Sequence, residues 1–137
     1  MKLSVLLHAA FILAVSSNAH SNHELIFTVA VGHTNPVSPV SHEGLLRNNF
    51  IFYKYKYASI GTGTNSFGHQ SNTFMLHYSL ARTGPSEVTL SGGIVTGYLR
   101  SFQPVAFLGF RHYTTPTTYV ALETSLHSTL INLGKLL

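Results

Sequence analysis

A histidine closes the stretch VAVGH at His33. A serine stands in GTNSFGHQ at Ser66, directly after Asn65 and three residues before His69. A serine hydroxyl is a weak nucleophile until a base takes its proton, and histidine is the usual base. The two side chains must come within roughly 2.6–3.2 Å for that transfer. Far apart in sequence, they can form a pair only if the fold carries both to one place. The plainer alternative is that Asn65-Ser66 caps a loop and His33 is a rim histidine, and spacing alone favours it.

Other groups of this kind are scattered. His42-Glu43 resembles half of a metal or acid–base site, but neither an HExxH pattern nor a second matched pair follows, so the sequence implies no metal site. His69 and His127 stand alone, as does His77. With no cysteine among 137 residues, neither thiolate chemistry nor a disulfide framework is available. Arg111 and Glu123 fall on neighbouring expected strands with the same parity as Gly109 and Ala121, which predicts an interior ion pair. The basic residues from Arg47 to Lys135 form no stripe, which argues against a nucleic-acid surface.

The elements that must position these residues are strands. Beyond residue 21 the chain has almost no helical periodicity and alternates with period two between Gly, Pro, Ser, Thr and Asn clusters. In TFMLHYSL, Phe74, Leu76, Tyr78 and Leu80 share one face, and Met75, His77 and Ser79 the other. In EVTLSGGIVTGY, Val88, Leu90, Ile94 and Tyr98 alternate with Thr89, Ser91, Gly93 and Gly97. Eight strands are expected, at about 24–33, 47–54, 57–65, 72–82, 87–98, 104–113, 117–124 and 128–137. These lengths sit around the roughly 9–11 residues that a tilted strand needs to cross a bilayer.

Composition points the same way. Charged residues are 9% of the chain and hydrophobic ones 45%, against roughly 25% charged in ordinary soluble domains. Large apolar residues on one face and small polar ones on the other fit a narrow transmembrane barrel with hydrocarbon outside. At the N-terminus, MKLSVLLHAAFILAVSSNAHS has a lysine, an apolar run and small residues before Ala19, the features of a secretory signal peptide. The expected organisation is a cleaved signal at 1–19 and an all-β, eight-stranded antiparallel up-and-down barrel at 20–137.

Up-and-down connectivity alternates long links with short ones. It gathers His33, His42, Glu43, Ser66, His69, Arg100 and His127 at the long-loop end, which in an outer-membrane barrel faces outward. Tyrosines 53, 55, 57, 78, 113 and 119 fall toward the short-turn end, as an interfacial girdle would. One feature opposes a catalytic His33: it shares parity with Leu25, Phe27, Val29 and Val31, so a bulge after Gly32 is needed to turn it inward. The competing fold is a soluble exported lipocalin-like binding barrel, with large residues inside.

Several stretches resemble the lipid A palmitoyltransferase family of small outer-membrane barrels. They are the histidine of VGHT at His33, the segment HEGLLRNNFIFY, Asn65-Ser66-Phe67 in place of the family's Asp-Ser-aromatic motif, and GGIVTGYLRSFQPVAFLGF. The resemblance implies an outward-facing site that moves an acyl chain between outer-leaflet lipids, with His33 as general base and Ser66 as the essential hydroxyl. Asn65 stands where the family has its acidic residue. Glu43, Arg100 and His69 would then contact substrate, the first two at headgroup phosphate or glucosamine. The implied partners are outer-membrane phospholipid and lipopolysaccharide, with a monomeric barrel and no cofactor. A non-catalytic envelope barrel that masks or modifies a surface receptor is the alternative.

Overall fold

The computed structural model describes residues 22–33, 49–65, 68–97, 102–126 and 128–137, with backbone alone at 30, 31 and 33. The signal-peptide reading of residues 1–19 lies outside the described residues. Eight strands follow one another: β1 (His23–His33), β2 (Phe50–Tyr55), β3 (Ala58–Thr64), β4 (Gln70–Thr83), β5 (Ser86–Val95), β6 (Gln103–Tyr113), β7 (Thr118–Thr124) and β8 (Ser128–Leu136). Each pairs antiparallel with its neighbours in sequence, and β8 pairs with β1 to close the barrel. The all-β up-and-down barrel read from the alternation is the fold the chain adopts. No helix among the described residues is long and apolar enough to cross a membrane.

Most strand ends fall within two residues of expectation, and the exceptions have local causes. β5 stops at Val95, short of 98, because Gly97 takes a left-handed φ of 86° and turns the chain out of the ladder. β2 begins at Phe50, and residues 47 and 48 of its expected start lie outside the described residues. The turn inside KYKY is tight: Tyr55 pairs with Ala58, and Lys56 holds φ at 53°. At the next short turn Gly84, at φ 56°, supplies the left-handed residue. Between β6 and β7 the Thr115 hydroxyl accepts from the backbone N–H groups of Thr117 and Thr118.

The two faces separate as the sequence requires. Phe74, Leu76, Leu90 and Ile94 point outward and are 41–46% exposed. Ile60, Leu108, Phe110, Leu122 and Ile131 extend the same apolar belt. The inner face carries Thr28, Ser59, Ser71, Met75, Thr89, Ser91, Ala121 and Asn132, all buried. A dry interior of large aliphatics, which the soluble lipocalin-like fold would need, is therefore not what this chain builds. Of the six tyrosines assigned to a girdle, Tyr53, Tyr55, Tyr57 and Tyr78 are exposed at the short-turn end. Tyr113 and Tyr119 differ: their parity on β6 and β7 is that of Arg111 and Ala121, and Tyr119 is buried in the lumen.

Two bulges adjust the wall, one between Thr28 and Ala30 against β8 and one between Ser79 and Ala81 against β5. The extra residues, Val29 and Leu80, are both exposed. A bulge advances the side-chain alternation by one position. The first lies before Gly32, whereas the bulge expected from the parity of His33 lies after it.

Small residues inside make room for large ones across the ladder. Gly134 pairs with Tyr119, and a Cβ at Gly134 would sit within the Tyr119 ring. Overpacking of this kind costs about 1–3 kcal/mol. Gly134→Ala is expected to lower stability by that order in urea unfolding of the refolded protein. Because both residues occupy one volume, the Gly134→Ala/Tyr119→Ala pair should show less destabilisation than the two single changes added together.

Candidate functional site

The long-loop end is organised around Asn65, which leaves the β3 ladder after Thr64 and is wholly buried. Its Nδ2 donates to Ser71 Oγ at 3.0 Å and to the Gly97 carbonyl at 2.7 Å. Its Oδ1 accepts from the His69 backbone N–H at 3.1 Å. The backbone tightens the same loop, with Asn65 N–H donating to the His69 carbonyl and Gly68 N–H to the Asn65 carbonyl, each at 2.9 Å. One side chain thus ties the β3–β4 connection to the first turn of β4 and to the chain beyond β5. An amide suits this position because it donates and accepts at once, which a carboxylate cannot.

The expected site residues distribute as follows. His33 ends β1, where its backbone pairs with Ser128, and its side chain lies outside the described residues. Ser66, Glu43 and Arg100 also lie outside them, as do His42 and His127. His69 is exposed at the long-loop end beside Asn65. The topology sets the end of β1 and the β3–β4 connection at the same end of the barrel. Among the described residues, no group of three or more His, Asp or Glu could hold a metal ion.

The lumen toward the short-turn end holds groups that reading the sequence missed. Glu24 on β1 accepts from Lys54 Nζ of β2 at 2.5 Å and lies 3.5 Å from Arg111 Nη2 of β6. The Tyr119 hydroxyl donates to the other end of the same contact, Glu24 Oε1. Arg111 stacks over the Tyr119 ring at 4.0 Å and reaches Glu87 of β5 at 3.7 Å. The ion pair expected between Arg111 and Glu123 is replaced by these partners. In the register Arg111 faces Ala121, while Glu123 faces Gly109 farther up the wall. Asn132 accepts from Thr28 Oγ1 at 2.8 Å.

A serine–histidine contact does exist in the barrel, at a different place. Ser59 Oγ lies 2.7 Å from His77 Nε2, on β3 and β4. Ser59 is closed to solvent in the lumen, so the pair has the distance of a nucleophile and base without access for a substrate. It satisfies two interior polar groups. The signal for this interior set was parity: Glu24 alternates with Leu25 and Phe27, Lys54 follows the parity of Phe52, and His77 was already on the small-residue face.

Comparison with known proteins adds nothing to assign this site: no family model, curated protein or solved structure matches the chain.

Two outcomes follow from these contacts. Asn65→Asp, which installs the acidic residue of the resembling family, sets a carboxylate against the Gly97 carbonyl. It is expected to destabilise the protein by about 1–3 kcal/mol, with faster proteolysis of the β3–β4 connection. Glu24→Ala leaves Lys54 and Arg111 without their shared carboxylate. Removal of one partner from a buried ion pair costs about 3–5 kcal/mol, so a loss toward that range should be seen in urea unfolding, whereas Glu24→Gln should lose less.

Proposed function

We propose that this chain is an outer-membrane β-barrel whose long-loop end acts on the acyl chains of outer-leaflet lipid. The observation that carries the membrane part is the outward belt of Ile60, Phe74, Leu76, Leu90, Ile94, Leu108, Phe110 and Leu122 around a closed sheet. Such a belt in water would exceed the apolar patches that monomeric proteins leave exposed. In hydrocarbon it costs nothing, and a closed ladder leaves no backbone group without a partner. The exposed tyrosines at 53, 55, 57 and 78 supply one interfacial girdle, on the short-turn side.

The acyl-transfer part draws on the ends of the barrel. His33 ends β1, and the β3–β4 connection that contains Ser66 is anchored at the same end by Asn65. In the proposed reaction, His33 takes the proton of the Ser66 hydroxyl as a phospholipid ester carbonyl is attacked, and returns it to the glycerol oxygen as that C–O bond breaks. The acyl-serine then passes its chain to an acceptor hydroxyl or to water. Asn65 serves as the clamp that fixes the loop, and Glu43, Arg100 and His69 meet the headgroup. The clamp also favours a second reading. With Asn65 committed to Ser71, Gly97 and His69, no side chain at that position remains to stabilise a histidinium. A non-catalytic barrel that masks or modifies a surface receptor has the same exterior and the same rigid loop.

Lipid A and phospholipids extracted from cells expressing the protein separate the two. Mass spectrometry should show an acyl chain gained or lost with the wild-type protein, and no change with His33→Ala or Ser66→Ala. Heat-modifiable migration of all three proteins from an outer-membrane fraction establishes that each is inserted. An unaltered lipid profile with an inserted wild type leaves the non-catalytic barrel. Recovery from the soluble periplasm overturns the membrane assignment itself.

A further inference from the structure

The short-turn mouth of the barrel holds a cavity of about 200 Å³ lined by Glu24, Lys54, Lys56, Glu87, Arg111 and Tyr113, among others. Its lining is charged and aromatic rather than aliphatic, which excludes an acyl chain as occupant. The carboxylates there are already engaged. Glu24 is shared by Lys54, Arg111 and the Tyr119 hydroxyl, and Glu87 turns to Arg111. Lys56 is a third cation at the lining, and among the described residues it has no carboxylate within ion-pair distance.

Two further observations point to an anionic occupant. Arg82 pairs in the ladder with Glu87, yet Glu87 points to Arg111 and Arg82 lies instead over the Tyr113 ring at 5.2 Å. Among the described residues Arg82, stacked on the lining residue Tyr113, is thus a second cation with no carboxylate within ion-pair distance. Arg111, only 5% exposed, keeps a buried Nε with no hydrogen-bond acceptor. A guanidinium offers five donors in a fixed fork matched to phosphate, and Arg111 contributes its guanidinium to the cavity lining. Lys56 is also held at the rim by its turn: φ is 53°, its N–H donates to the Asn22 carbonyl at 2.9 Å, and its ammonium lies over Tyr55.

We infer that this mouth is a binding site for a phosphate group, with Lys56 and Arg82 as the entry cations and Arg111 as the floor. The site lies at the opposite end of the barrel from His33 and Ser66 and does not depend on any activity there. A free phosphate and the headgroup of an anionic phospholipid present the same chemistry.

Calorimetric titration of inorganic phosphate into the full barrel, in a non-ionic maltoside micelle, tests the site. A parallel titration uses micelles doped with phosphatidylglycerol. Lys56→Asn keeps a residue that tolerates the left-handed turn, and Arg82→Gln removes the second cation; unchanged heat-modifiable migration shows that both variants fold. Phosphate binding that weakens about tenfold in Lys56→Asn, further in the double variant, and with added salt supports a site for free anion. Binding of phosphatidylglycerol alone, with the same dependence on Lys56 and Arg82, supports a headgroup site. If neither ligand binds, or if binding is unchanged in the double variant, the inference is wrong.

Discussion

Pairing of β8 with β1 sets the character of the whole molecule. A sheet of eight short strands left open would expose two rows of backbone donors and acceptors, in water or in lipid. Closure satisfies them all, and it forces every strand to choose an inside and an outside. Because the circle is small, the inside must be filled by side chains that fit a narrow space. The pairing of Gly134 with Tyr119 and of Gly61 with Phe52 is how the chain meets that demand. An aromatic ring from one strand lies where its neighbour has no side chain.

Charge inside such a lumen is tolerated only when every ion has partners, since desolvation is otherwise too costly. The arrangement around Glu24 meets this through convergence. Four strands contribute Glu24, Lys54, Glu87 and Arg111, and β7 adds the Tyr119 hydroxyl. These contacts join β1, β2, β5 and β6 across the lumen, where the backbone ladder joins only neighbours. They therefore brace the cross-section at the end where the connecting turns are shortest. At the other end, Asn65 performs the comparable task over a shorter range, between adjacent elements.

How much of this was legible differs between fold and site. Period-two alternation in TFMLHYSL and EVTLSGGIVTGY is a local property of the chain, and it gave the faces of β4 and β5 correctly. The Gly84 turn likewise carries its own signal, whereas nothing in KYKY marks Lys56 for a left-handed turn. Parity also held the interior position of Arg111, Glu123 and His77. The partner of Arg111 was not legible, because the choice between Glu123, Glu24 and Glu87 depends on stagger around the barrel, which no single strand encodes. Neighbouring strands suggested Glu123, but the ladder sets Arg111 opposite Ala121 and leaves Glu24 within reach. A bulge was expected after Gly32 and one lies at Val29 instead, since nothing in TVAVG distinguishes one extra residue from another. The role of Asn65 was hidden for a similar reason: its bonds to Ser71 and Gly97 join segments that come together through the pairing of β3, β4 and β5.

The braced cluster around Glu24 has an electrical consequence. With Tyr119 lying across Gly134, and Arg111 stacked upon its ring, an aromatic ring and a guanidinium occupy the lumen at that level. A hydrated ion entering the mouth meets fixed charges of both signs. An ion approaching from that side is therefore met by charge before it reaches the middle of the barrel.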